Sequence, residues 1–353
     1  MAIPLIVGGL ALLAGGFGVK KGLDAKENFS RAERIVRNSD HDFIEAGETL
    51  EARREAVSES LENLGRLRLQ VESKSLGKMV ELMNQVHGAE IGSIEIEGCN
   101  ITIDEVDVKD ISVSAYQATD FLEHGLAGAS SGALVGVGIG QTVGLLGSAS
   151  TGAAISGLSG AAASNATLAW LGGGSLASGG LGVAGGTAVL GGAIAGPVIA
   201  VMGYMAAGKS EKALTEATAH SAELDMATEQ LKNGVIALDA IEERAREVEW
   251  VINELNDRFK KVAQRVSREF KNIRREQELK ILNAGKEVPK NLFTKKINYQ
   301  NLGDKATGDY TSMMLLGSAL FNVLKVNILN NKGGLTRESA KTVLEMKNML
   351  EVV

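Results

Sequence analysis

Starting at Phe29, an apolar side chain recurs at seven-residue intervals: Val36, Phe43, Leu50, Val57, Leu64 and Val71. Met79 and Val86 continue the stripe out of phase. The companion seam is weak, because Ala32, Ser39, Ala46, Arg53, Ser60 and Leu67 occupy it. One narrow apolar edge predicts a long amphipathic helix over 23–90, suited to lying against a partner helix. Gly47, Gly65 and Gly77 mark where it would bend or break. A stronger version of the pattern runs through 209–288. Leu224, Leu231, Leu238, Ala245, Ile252, Phe259, Val266 and Ile273 hold one seam, and Ala227, Gly234, Ile241, Val248, Leu255 and Val262 the other. With charges on the remaining faces, this predicts a coiled-coil helix. Two long helices in an ordinary bundle would read the same way.

Between the two rods, "SIEIEGCNITIDEVDVKDISVS" alternates in pairs: Ile94 and Ile96, Ile101 and Ile103, Val106 and Val108, Ile111 and Val113. Period-two alternation around Gly98 and Asn100 predicts two to four short strands, a small β element over 91–123. Residues 289–353 follow Pro289 and predict a helical hairpin, with helices near 309–330 and 337–352. "NNKGGLT" separates them, and Thr336 is the expected N-cap.

The remaining pattern is an absence. From His124 to Gly208 no Asp, Glu, Lys or Arg occurs across 85 positions, and 24 of these are glycine. A stretch of that length without charge is expected to be buried in protein or in lipid. Gly128, Gly132, Gly136, Gly140, Gly144, Ser148, Gly152, Ser156, Gly160 and Ser164 stand at strict four-residue intervals. A second ladder runs Gly180, Ala184, Ala188, Gly192, Gly196, Ala200. On a helix each ladder is a flat groove that admits another backbone. Glycine costs a helix in water up to ~1 kcal/mol relative to alanine. Hydrocarbon enforces helix anyway, and small residues there supply close packing. Leu, Ile and Val are diluted by Gly, Ala, Ser and Thr, so insertion should be marginal, as suits a segment stored against protein before it enters a bilayer. Asn165 and Gly172–Gly174 divide the region into a hydrophobic helical hairpin, with Trp170 as an interfacial anchor. The alternative is a glycine-packed soluble core sheathed by the two rods.

The resulting expectation is a mainly α fold. Long antiparallel helices or a coiled coil carry a small β-hairpin element and a Gly-rich hydrophobic helical hairpin. Residues 1–22 add an apolar N-terminal segment. "MAIPLIVGGLALLAGGFGVKK" has no charge before Lys20, so it reads as an uncleaved membrane-inserting segment rather than a signal peptide. At roughly 17 apolar residues it is at the short limit for spanning, and a buried core helix is the alternative.

Composition narrows the chemistry. The chain has 353 residues and a net charge of -6, with Gly 43 but Pro 3, which excludes collagen-like and proline-rich disordered classes. Cys99 is the only cysteine, and His41, His87, His124 and His220 show no metal-ligand spacing, so no metal and no cofactor is expected. "GYMAAGKS" at 203–210 matches the phosphate-loop pattern letter for letter. Such a loop needs a parallel sheet with an acid-bearing strand, for which "GVIALD" ending in Asp239 is the candidate. Those residues keep helical spacing inside the seam, and Lys209 more simply ends an apolar helix. Neither a catalytic set nor an enzyme is expected.

Thirteen Lys/Arg lie between Arg258 and Lys296, against four acids. Of these, Arg265, Arg268, Lys271, Arg274 and Arg275 are the candidate membrane-surface cations, together with Lys20 and Lys21. Antiparallel rods would set that stretch beside the N-terminal cations. No stacking aromatics are interleaved, so nucleic acid is not expected. The plain alternative is a solvated helix face.

The order of long helix, strands with a hydrophobic hairpin, and long helix resembles helical pore-forming toxins of the cytolysin A and tripartite haemolysin type. It is also similar in outline to apolipoprotein L-like proteins. The likeness is one of layout, and the longer chargeless region and apolar N-terminus depart from it. It implies a membrane-associated protein, soluble before insertion, with a lipid bilayer as partner, self-association, and room for a helical protein partner. The expected function is insertion of 124–208 and oligomerisation through Gly128, Gly132, Gly136, Gly140, Gly144, Gly152, Gly160, Gly180, Gly192 and Gly196. A membrane-anchored coiled-coil scaffold is the second reading, and a phosphate-loop protein the third.

Overall fold

The computed structural model describes residues 19–89, 94–96, 99–101, 105–129, 210–289, 292, 295–330 and 334–352. The fold is mainly helical. The chain divides into two units, one drawing its described residues from 19–49 and 210–232, the other from 50–129 and 233–352. Helix α1 (Val19–Val71) contributes to both.

In the first unit, α1 meets the start of a second long helix, whose full extent is Ser210–Asn283. Ala32, Val36 and Ala217 form a small buried cluster, flanked by Ile35 and Leu214. Beyond it, Ser39 Oγ lies 2.7 Å from Ser221 Oγ, and His220 Nε2 lies 3.1 Å from Asp40 Oδ1. Partners on the two helices rise together in number, so they run parallel here. Within the second unit the same order holds: Arg53 pairs with Asp239 and Glu242, and Ser75 Oγ donates to Asn256 Oδ1 at 2.6 Å.

The antiparallel arrangement expected from the heptads is therefore corrected. A seam dictates which faces meet but carries no direction. Direction follows from the connection, and only a short one enforces antiparallel neighbours. Residues 84–209 are long enough to return the chain. Both seams are otherwise occupied as the pattern requires, with Val36, Phe43, Leu50, Val57 and Leu64 buried on one helix and Leu224, Leu231, Leu238, Ile252 and Phe259 on the other.

In the second unit α1 passes unbroken through Gly65, as it does through Gly47 in the first, and ends in a π-helical turn at Glu72–Leu76. There the Gly77 N–H reaches Glu72 O, five residues back. The wider turn adds one residue to the repeat. That explains why the stripe resumes at Met79, one place late and buried; Val86 is also buried but lies beyond the end of the helix. Helix α2 (Gly77–Met83) follows. Strand β1 (Val86–His87) pairs in parallel with a strand at Ile297–Asn298, Val86 opposite Ile297. Strands β2 (Ile94–Ile96) and β3 (Cys99–Ile101) form an antiparallel pair, Ile94 opposite Ile101.

The strand reading fails after that point. Val106, Val108, Ile111 and Val113 lie in helix α3, Glu105–Ala129. Ile111, Ala115 and Ala118 are buried at i, i+4, i+7 spacing, with Ser114 and Gln117 beside them. This helical face outweighs a two-residue alternation.

Numbering continues with α4 for Ser210–Asn283 and β4 for Ile297–Asn298, then α5 (Asp304–Lys325) and α6 (Arg337–Val352). Helix α5 is apolar around most of its circumference, with Met313–Leu316, Ala319–Phe321, Val323 and Leu324 buried, as befits a core helix. At Gly317 a side-chain carbon would run into the Met79 thioether and touch the Phe259 ring, so α2, α4 and α5 approach closely there. Thr336 caps α6: its Oγ1 accepts from the Ser339 N–H at 3.1 Å.

Candidate functional site

The basic stretch of α4 puts Lys260, Gln264, Ser267, Arg268 and Lys271 on one helical face, since they fall at steps of three and four. Parallel pairing brings a second set of cations to that face. Lys74 and Lys78, four apart across the π-helical turn and the start of α2, line the opposite wall of the same cleft. The cavity measures about 500 Å³. Its floor is Phe259 and Ala263, both buried, with Ser75 held by its bond to Asn256.

Five cations thus converge on one concavity whose lining contains no carboxylate. Lys78 is paired with Glu81 at 2.8 Å, and Lys260 with Asp257 at 3.6 Å. Among the described residues, Lys74, Arg268 and Lys271 have no carboxylate partner. Like charges gathered from elements far apart in sequence repel one another, and an anion in the cleft would offset that repulsion.

Just before Lys74 in sequence, Arg68 of α1 and Glu72 of the π-helical turn are two buried ionisable groups that attract one another. Arg68 and Glu72 are 5% and 3% exposed. Arg68 Nη2 donates to Val326 O at 2.8 Å. Burial pushes the Glu72 carboxyl up to about 7, opposed by a hydrogen bond from Ser114 and by the charges of Arg68 and Lys325. Burial likewise lowers Arg68 to about 10, against the pull of Glu72. Lys325 is itself 3.6 Å from Asp110 and stands over the Phe321 ring at 4.2 Å.

The anticipated site residues fall out unevenly. Arg268 and Lys271 line the cleft. Arg265 is diverted to Asp309, whose Oδ1 accepts from its Nε at 2.8 Å. Arg274 is half-buried, and Arg275 is exposed away from the lining. Lys20 and Lys21 lie in the first turn of α1. Their anticipated neighbourhood with 258–296 is replaced, because α1 pairs through Ala32–Asp40 with 214–221 in the first unit. Lys74 and Lys78 had no signal in the charge run, since only helix direction ties them to Arg268.

Gly128 is in the last turn of α3. Gly132, Gly136, Gly140, Gly144, Gly152, Gly160, Gly180, Gly192 and Gly196 lie outside the described residues, as do the N-terminal segment through residue 18 and the phosphate-loop match through Lys209. Its candidate strand at 234–239 is helix, and Asp239 faces Arg53. Among the described residues no helix is long and apolar enough to cross a membrane. Comparison with protein-family models, curated proteins and solved structures finds no match to this chain.

Proposed function

We propose that the protein inserts into a membrane, oligomerises through its glycine ladders and permeabilises or perturbs the bilayer, as a pore-forming toxin or an intracellular effector. The observation that carries this reading is the charge-free run His124–Gly208, with small residues every fourth position. It begins within α3 and ends two residues before α4. A soluble surface has no use for such a run, whereas a bilayer accepts it as helix and packs it through its small faces. The cations of the cleft add attraction for anionic headgroups, worth about 1 kcal/mol each near a charged surface.

Release of an encapsulated dye from phosphatidylserine-containing vesicles tests the reading. The wild-type chain should cause leakage. Replacing Gly136 and Gly140 together by leucine should abolish it while leaving vesicle binding intact, because the groove is filled but apolarity is kept. Leakage unchanged by that pair counts against the ladder. Wild-type binding with no leakage identifies a membrane-anchored scaffold instead. Lys209→Ala should leave leakage unaltered.

A further inference from the structure

We propose that the cleft between the π-helical turn and α4 is a binding site for a small, multiply phosphorylated ring, of the inositol polyphosphate class. The phosphates are the shared chemistry of the two sources, a free ring and a lipid headgroup. This goes beyond membrane insertion and stands without it.

Size sets the lower bound. About 500 Å³ lies well within the 300–1,000 Å³ of small-molecule sites, and exceeds what one phosphate fills. Charge sets the number. Lys74 and Lys78 stand on one wall, and Lys260, Arg268 and Lys271 on the other, so a monoanion satisfies one wall at most. A ring bearing phosphates on both sides satisfies both. Arg268 supplies a planar fork that takes two phosphate oxygens at once, and the lysines act as adjustable point charges.

Ser267 and Gln264 add neutral polar groups to the lining. Phe259 is 1% exposed and cannot be a stacking platform, which disfavours nucleotides and single-stranded nucleic acid. Concavity argues against a merely solvated face, since free lysines on one helix diverge rather than meet those of another. An anion bound here also stabilises the fold by mass action, because the unfolded chain does not gather these cations.

The test uses the full chain and myo-inositol hexakisphosphate as the probe, followed by calorimetry. Binding should be saturable with one site, and should weaken as salt rises. The double substitution Arg268→Gln, Lys271→Gln should weaken it by about tenfold or more, the loss expected from removing charge-assisted contacts. Lys74→Gln, on the other wall, should also weaken it. Arg275→Gln with Lys280→Gln, exposed on α4 but outside the lining, should not. Circular dichroism on each variant confirms that it is folded.

No saturable binding overturns the proposal. So does equal loss in the cleft and control variants, which would mean diffuse surface charge. A second arm distinguishes the sources. Phosphatidylcholine vesicles with phosphatidylinositol bisphosphate are compared with phosphatidylserine vesicles of equal surface charge. Preference for the former assigns the site to a lipid headgroup; soluble binding without that preference assigns it to a free ligand. Dye release from phosphatidylserine vesicles is scored separately, so failure of the cleft and failure of insertion remain distinct.

Discussion

Placing Glu72 and Arg68 out of water obliges each to find its counter-charge inside the fold. A buried pair of this kind often contributes less than an apolar replacement would, because two desolvation penalties must be offset by one attraction. The position of the Glu72 pKa, at about 7, says that burial outweighs the attraction of Arg68 and Lys325. The sign of the pH dependence follows. Between the ordinary glutamate range and about 7, the folded chain retains a proton that the unfolded chain has released. Stability contributed by this group therefore falls as pH rises through that window and is lowest above 7. Glu72→Gln keeps the shape and can still accept from Ser114, so it should raise the melting temperature at pH 8 and change little at pH 4.5. A gain of a few degrees is expected, at roughly 2–4 °C per kcal/mol for a domain of this size. The check is the difference between wild-type and variant helix melts at the two pH values. Equal differences at both would show that the carboxyl titrates in the folded chain as it does in the unfolded one.

At the scale of elements, the π-helical turn is the feature on which the cleft depends. By adding a residue to the repeat, it buries Glu72 toward Ser114 while Ser75 reaches Asn256 on α4. Lys74 and Lys78 are left at the edge of that second contact. Its signature was present in the sequence as the late step from Val71 to Met79. The heptads of α1 and α4 were legible for the same reason, since burial with a period near 3.6 leaves its record in residue type. Helix direction left no such record, and the alternation over 106–113 misled because α3 buries small residues, Ala115 and Ala118, that a strand pattern ignores. The register of the α1–α4 pairing is open to direct test. In a chain with Cys99→Ser, the substitutions Ser39→Cys and Ser221→Cys should form an intramolecular disulfide under mild oxidation, as the two Oγ atoms lie 2.7 Å apart. Ser30→Cys with Ser221→Cys, about two and a half turns away along α1, should not. Cross-linking of the control pair alone would reverse the register described above.

For the whole molecule, the question is whether the charge-free run is needed to build the helical body or is carried by it. The basic cleft, too, is only half legible in the sequence: Arg268 and Lys271 belong to a charge run, but Lys74 and Lys78 join them only through the fold. Among the described residues, the lining of the cleft comes from 74–78 and 259–271. The residues of the buried seams and of the core helix α5 likewise lie before 130 or after 209. If those contacts suffice, cutting the connection removes only the effective concentration that the linkage supplies. Residues 19–129 and 210–353, expressed together as separate chains, should copurify one to one and melt cooperatively. The pair should bind myo-inositol hexakisphosphate within about threefold of the intact chain, because each wall of the cleft is present. It should release no dye from vesicles, because the glycine ladders are gone. Copurification with binding but without leakage places recognition in the body and perturbation in the charge-free run. Failure of the two chains to associate would mean that the run belongs to the core, and the reading of it as a segment destined for lipid would fall.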